Sequence, residues 1–277
     1  MPPTSIEDTE AIENCAARLL KWFAEPNYIV ALSGGVDSCV VAYAAFSSGK
    51  ACLAVTSNSP SVPREDIQAA CSLAEQFGFE HQLIATDETL DADYIRNDQQ
   101  RCYYCKSHLY SAIESAFPSG TIVNGTNFDD LGDYRPGLKA ARENRVRSPL
   151  LELKIGKRDV RRLAKYWELP THEKPASPCL ASRIAYGVEV THERLSMIEN
   201  AEQLLRQLGL QELRVRLHPD NLARIEVPVH CLAAIIEEST RKQLLASFRD
   251  LGFQFVTLDI AGFESGSLNR LVQLSVD

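Results

Sequence analysis

The chain has 277 residues, an apolar fraction of 45% and a formal net charge of −8. That length allows one or two domains with a full core. The acidity excludes a general attraction to nucleic acid or to an anionic membrane surface, and the apolar runs fall short of a membrane span. The opening decapeptide, MPPTSIEDTE, is polar and acidic rather than a secretory leader, so the expected compartment is the cytoplasm. Eight cysteines in such a compartment do not read as a disulfide framework.

In chain order the pattern predicts a helix over 6–23, a strand over 29–32 and a helix from Val36 to Phe46. Strands over 52–56, 81–85 and 121–124 follow, separated by helices over 63–77 and 101–116. This alternation implies an α/β fold, a doubly wound parallel sheet with helices on both faces. Such sheets bind ligands beyond the C-terminal ends of their strands, so Ser33, Thr56 and Gly125 are expected to line one crevice. Residues 127–190 are rich in arginine, proline and loop signals, with one clear helix over 157–167. From Thr191 the pattern changes to a helix over 193–208, strands over 213–217 and 223–227 around the turn HPDN, a helix over 229–251 and a strand over 253–258. The expected organisation is an α/β domain over 1–190 and a smaller α+β domain over 191–277.

The segment Ser33-Gly34-Gly35-Val36-Asp37-Ser38 sits where the first strand passes into the first sheet helix. Backbone N–H groups and the helix dipole favour an anion there, and the two glycines let a phosphate approach the backbone. Ser33 and Ser38 add hydroxyls. Asp37 would repel phosphate, which makes sense if it holds a Mg²⁺ bound to that phosphate. A Walker lysine is absent, so this is not a P-loop. SGGVDS in this context resembles the pyrophosphate loop (PP-loop) of N-type ATP pyrophosphatases, which implies ATP and Mg²⁺ as cofactors. Gly125, Thr126, Asn127, Asp129 and Asp130 follow the fourth strand; Asp129 or Asp130 is expected to assist Mg²⁺, and Arg135 to contact phosphate.

Cys15, Cys39, Cys52, Cys71 and Cys231 lie singly in apolar patterns and read as small buried hydrophobes. Cys102 and Cys105, in RCYYCK, share one turn at the start of a helix and suit a metal, a cluster or a redox pair. Cys179 lies in a Pro- and Ser-rich loop, KPASPCLASRI, where Arg183 is expected to favour a thiolate. Three thiolates leave one iron of a four-iron cluster open. Arg214 and Arg216 alternate on a strand, share a side and suit a phosphate.

SGGVDS, RCYYCK, NGTNFDDLGDYRPG, KRDVRRLA, ELPTHEKPASPCLASRIAYG and RVRLH together resemble the LarE family, over roughly Ile29 to Val227. The family's members are ATP-dependent sulfur transferases of nickel-pincer nucleotide synthesis. The resemblance implies that a carboxylate of pyridinium-3,5-biscarboxylic acid mononucleotide is adenylated and then converted to a thiocarboxylate. It implies that Cys179 is the sulfur-donor position, with Ser182 and Arg183 beside it, and that Arg214 and Arg216 contact the substrate phosphate. Glu202 and Glu226 resemble site carboxylates by spacing. One branch of the family sacrifices a single cysteine to dehydroalanine; another holds a 4Fe-4S cluster on three cysteines. With Cys102, Cys105 and Cys179 present, the cluster branch is expected. A homo-oligomer, a hexamer by family analogy, is also implied, with a small-molecule nucleotide substrate and no nucleic-acid or membrane partner. The rival readings are a tRNA thiolase or amide ligase of the same superfamily and a noncatalytic nucleotide sensor.

Overall fold

The computed structural model describes residues 6–132 and 136–264. In chain order its elements are α1 (Ile6–Trp22), β1 (Tyr28–Ala31), α2 (Val36–Ser47), β2 (Cys52–Asn58), α3 (Arg64–Phe77), β3 (His81–Ala85), α4 (Ala92–Ile95), α5 (Arg101–Ala116) and β4 (Thr121–Val123). They continue with α6 (Pro136–Glu143), α7 (Pro149–Glu152), α8 (Lys157–Tyr166), α9 (His192–Gln207), β5 (Arg214–His218), β6 (Leu222–Glu226), α10 (Leu232–Ile236), α11 (Glu238–Asp250) and β7 (Phe255–Leu258). The chain divides into two compact units: the residues up to Glu88 together with Cys102–Ser177, and Thr89–Arg101 together with the residues from Pro178 onward.

The first unit holds a parallel sheet in the order β3-β2-β1-β4. All four residues of β1 are buried, the mark of a strand covered on both faces. Tyr28 and Val30 join Leu19 of α1, Phe23 just beyond it, Val40 and Val41 of α2, and Val160 and Leu163 of α8. Ile29 and Ala31 point the other way, to Leu109 and Ile113 of α5 and to Ala140 and Ala141 of α6. The period of two along one short strand therefore feeds two cores, and the doubly wound α/β expectation holds. In α8, Val160, Leu163 and Ala164 recur at helical spacing and are fully buried, while its lysines and arginines occupy the other face. The short helices α6 and α7 lie in the stretch that the sequence pattern leaves as loop.

In the second unit β5 and β6 form an antiparallel hairpin, and β7 adds to β6 in parallel. Val215, Leu217, Ala223 and Ile225 face the core, as do Leu195, Ile198 and Leu205 of α9. The hydroxyl of Thr191 accepts from the Arg194 N–H and caps α9. Where the sequence pattern places a domain boundary at 190, the compact units part at Ser177 and Pro178, and Thr89–Arg101 joins the second. The reason is Asn97. It is fully buried in the left-handed region (φ 56°), and its amide donates to the carbonyls of Ala185 at 2.9 Å and Val188 at 2.8 Å.

The expected helix over 229–251 is two helices, α10 and α11. Glu237 between them is extended (φ −53°, ψ 141°), and its carboxylate accepts from the N–H groups of Ser239 and Thr240. A side chain that caps the helix after it has the composition of a helix former, so composition hides the break. Leu163→Ala, at a site with no exposed surface, is expected to lower the stability of the first unit by about 2–5 kcal/mol, read as a lower denaturation midpoint with unchanged slope.

Candidate functional site

The loop between β1 and α2 begins with a serine pair. The Ser33 N–H donates to Ser38 Oγ at 3.1 Å, the two hydroxyls lie 3.0 Å apart, and Ser38 Oγ donates to the Gly35 carbonyl at 3.0 Å. Gly34 is left-handed (φ +73°), a conformation that suits glycine. Gly35 is the N-cap of α2 and no side chain caps this helix, so its first N–H groups remain available to an anion. Val36 is buried, which anchors the start of the helix in the core. Gly125 presses on this turn from the end of β4: a Cβ there would lie 2.6 Å from the Ser38 nitrogen and 2.9 Å from the Asp37 carbonyl carbon.

Asp37 is held from two sides. The Asn127 amide donates to Oδ1 at 3.0 Å, and the Lys157 ammonium is ion-paired with Oδ2. Asn127 is fixed in turn, its N–H donating to Asp130 Oδ2 at 3.0 Å. Lys157 opens α8, where its N–H donates to Asp129 Oδ2 at 2.7 Å. The three-residue run Thr126-Asn127-Phe128 thus brings Asp129 and Asp130 in as buttresses of the residues around Asp37. Thr126 begins the turn by donating its N–H to Asn124 Oδ1 at 3.0 Å. Lys157 escapes the sequence argument because it lies 120 residues from Asp37; the only local signal is a lysine after a glycine at a helix start. β2 continues to Asn58, so Thr56 lies within the strand rather than at its end; its hydroxyl is buried and donates to the Leu32 carbonyl at 2.7 Å, with His81 Nε2 at 2.9 Å. Arg135 lies outside the described residues.

The second cluster is built within the second unit. Cys179, half-buried, precedes a single 3₁₀ turn, Leu180–Arg183. Its carbonyl accepts from Ser182 Oγ at 2.7 Å and from Arg183 Nη1 at 2.9 Å, and Arg183 also donates to the Pro178 carbonyl. Arg183 is 1% exposed and pairs with Glu202, 2% exposed, at 3.1 Å. Glu202 also accepts from Arg206 and from the Val215 N–H. Arg216 donates to the Ser182 carbonyl at 3.2 Å and pairs with fully buried Glu226, which Arg224 also reaches. Arg183, expected to act on the thiol, is bonded to the backbone of the cysteine turn. Spacing marks Glu202 and Glu226 as site carboxylates; the structure makes both of them anchors for guanidinium groups.

Arg214 differs from Arg183 and Arg216. Its guanidinium lies over the Phe263 ring at 5.3 Å. Burial, followed by the charge of Arg183, pushes its pKa down to about 10. An arginine held in a partly desolvated place beside other cations is a ready partner for an anion.

The other two candidate thiols are Cys102, exposed in the first turn of α5, and Cys105, half-buried one turn on. Cys105 Sγ faces the buried Glu88 carboxylate at 3.8 Å, which also accepts from Ser59 Oγ at 2.7 Å. These two cysteines belong to the first unit and Cys179 to the second. Among the described residues no three His, Cys, Asp or Glu side chains are gathered as a metal site. Cys39 lies beneath the phosphate loop, where burial raises its thiol to about 11, in keeping with a structural role.

A glycine turn between strand and uncapped helix, with an aspartate and no Walker lysine, on a parallel sheet, defines a nucleotide-binding unit of the PP-loop type. The family model described as NAD synthase matches residues 10–106. An uncharacterised protein of Synechocystis is 40% identical over 266 residues, 94% of this chain and 99% of its own. Pyridinium-3,5-bisthiocarboxylic acid mononucleotide synthase of Lactiplantibacillus plantarum is 37% identical over 247 residues, 87% of this chain and 88% of its own. Among solved structures, NMN synthetase from Francisella tularensis aligns over 60% of this chain and 75% of its own, at 21% identity and a TM-score of 0.48. The chain belongs to the LarE family, that of the pyridinium-3,5-bisthiocarboxylic acid mononucleotide synthase.

Glu202→Gln leaves the buried Arg183 without its counter-charge. The expected cost is about 3–5 kcal/mol of stability, measured by chemical denaturation, against less than about 1 kcal/mol for a change in the exposed Lys242–Glu238 pair.

Proposed function

We propose that this enzyme of the PP-loop superfamily is an ATP-dependent sulfur transferase that acts on pyridinium-3,5-biscarboxylic acid mononucleotide. A substrate carboxylate oxygen attacks the α-phosphorus of ATP, and the bond to the β-phosphate breaks to release pyrophosphate. Sulfur then attacks the acyl carbon, and AMP leaves with the bonding electrons. The observation that supports this most is the association, within one unit, of the Cys179 turn with Arg183, Arg214 and Arg216. A thiol beside anion-binding groups suits transfer of sulfur to a phosphate-bearing acyl group.

In this reading Ser33, Gly34, Gly35, Val36 and Ser38 receive the pyrophosphate portion of ATP, with Gly125, Thr126 and Asp130 shaping the neighbouring loop. Asp37 supplies the oxygen donor for Mg²⁺, which offsets charge on the leaving pyrophosphate when bound. Lys157 pairs with Asp37 and is a cation within reach of the phosphate groups that this loop would hold. Arg214 takes the substrate phosphate, while Arg216 and Arg183, anchored by Glu226 and Glu202, hold the cysteine turn.

The source of sulfur follows from the cysteines. Thiolates are the right donors for a 4Fe-4S cluster, and Cys102 and Cys105 share a helix turn. Cys102 and Cys105 of the first unit and Cys179 of the second would supply three thiolates to such a cluster, leaving its fourth iron open. Cys179 alone suffices chemically. Its sulfur forms a thioester with the substrate, loss of the Cα proton breaks the Cβ–S bond, and the sulfur departs as thiocarboxylate, leaving dehydroalanine. A cytoplasmic homo-oligomer belongs to the same reading.

Mixing the protein anaerobically with Mg²⁺, ATP and the biscarboxylated nucleotide is expected to release pyrophosphate and form thiocarboxylate. Asp37→Asn is expected to lower pyrophosphate release at least about 100-fold with an unchanged melting temperature. Mass spectrometry of the Cys179 peptide separates the sulfur sources: loss of one H₂S marks sacrifice, and an unchanged peptide with bound iron and sulfide marks a cluster. Absence of pyrophosphate release from the wild type would refute the reading.

In the same assay Arg214→Ala is expected to weaken binding of the nucleotide substrate by about tenfold or more while leaving ATP affinity unchanged. Equal losses for both ligands would deny Arg214 a dedicated phosphate.

A further inference from the structure

Asp66 is a buried carboxylate in the first turn of α3, and none of the roles above uses it. Both of its oxygens are taken by one distant segment. Lys174 Nζ donates to Oδ1 at 2.8 Å, and Ser177 Oγ donates to Oδ2 at 2.7 Å. The same Lys174 ammonium donates to the Gly34 carbonyl, in the phosphate loop, at 2.8 Å. The backbone of Asp66 is equally close to that loop: a Cβ on Gly34 would lie 2.5 Å from the Asp66 carbonyl oxygen. Arg161 of α8 grips the segment from the other side, donating to the carbonyls of His172 at 2.8 Å and Lys174 at 3.1 Å. A single carboxylate therefore joins α3, through Lys174 the phosphate loop, and residues 174–177.

Burying an ion pair gains little stability for its desolvation, so the pair calls for a reason other than stability. The chain supplies one. Cys179 is two residues past Ser177, no more than about 7 Å of extended backbone. Whatever fixes Ser177 fixes the root of the donor segment.

We propose that Asp66 is a positioning residue for Cys179. Through Lys174 and Ser177 it sets where the sulfur-bearing segment starts, and it serves sulfur transfer rather than adenylation. This inference rests on the sulfur-transferase reading above. Asp66 touches neither nucleotide nor thiol in this assignment; it acts through the segment it holds.

The test uses full-length Asp66→Asn, Ser177→Ala and Ser177→Thr, each checked by its melting curve. Asn keeps the size of Asp66 and removes its charge, Ala removes the serine donor, and Thr restores that donor at an exposed position. Two quantities are read: thiocarboxylate formed per pyrophosphate released, and the rate at which a maleimide alkylates Cys179, followed by peptide mass spectrometry. Asp66→Asn and Ser177→Ala are expected to keep pyrophosphate release within about twofold of wild type and to lower the thiocarboxylate yield per pyrophosphate about tenfold. Cys179 alkylation should accelerate several-fold in both, and Ser177→Thr should match wild type in both quantities. An unchanged yield per pyrophosphate, or pyrophosphate release that falls in step with thiocarboxylate, would overturn the proposal. If Asp66→Asn does not fold, the serine pair decides alone. If the wild type releases no pyrophosphate, the sulfur-transferase reading fails, and unchanged alkylation rates would then overturn the positioning role separately.

Discussion

A carboxylate placed where the backbone attracts anions is the constraint around which the phosphate-loop end of the first unit is organised. Asp37 stands at the start of α2, among N–H groups that no side chain caps. Its charge is balanced by Lys157 from the start of α8 and its orientation is fixed by Asn127 from the loop after β4. Those two partners require two more carboxylates, Asp129 on the Lys157 N–H and Asp130 on the Asn127 N–H. One acid thus draws together three chain segments that only the parallel sheet could bring to the same strand ends. The close approach of Gly125 to Ser38 is the steric counterpart: any Cβ there would displace the turn that carries Asp37.

The second unit solves a different problem, that of holding a cysteine turn with buried charge. Arg183 and Glu202 are both almost wholly removed from solvent, as are Arg216 and Glu226. Such pairs are weak contributors to stability, but losing one partner strands the other. Their guanidinium groups reach the carbonyls of Pro178, Cys179 and Ser182, so the charges set the path of the backbone around the thiol. Arg214, on the same strand as Arg216, has its pKa lowered by burial and then by the charge of Arg183.

The relatives fit this division. The NAD synthase model covers residues 10–106, which contain the phosphate loop and the first three strands but neither Cys179 nor the arginine strand. The L. plantarum synthase, by contrast, matches 87% of the chain. A nucleotide loop is common to many enzymes that activate substrates with ATP, whereas the cysteine turn and its buried ion pairs lie outside the stretch that the NAD synthase model matches.

Periodicity and punctuation determined most of the fold. The βα alternation, the parallel sheet, the glycine turn before α2 and the helix over 101–116 follow from local patterns that tertiary structure had no cause to override. Local chemistry likewise marked Asp37, the CxxC pair, Cys179 and the alternating arginines. Sequence alone left the helix break at Glu237 hidden, because a capping glutamate and a helical glutamate have the same composition. It ended the second strand at Thr56, where the structure carries it on to Asn58, and it gave no information on which hydrogen bond the Thr56 hydroxyl makes. The pairings of Asp37 with Lys157, of Asp66 with Lys174 and Ser177, and of Glu202 with Arg183 were decided by the tertiary structure alone. Each joins residues from 19 to 120 positions apart, and which charges meet at such separations depends on how helices and loops pack, not on any spacing along the chain.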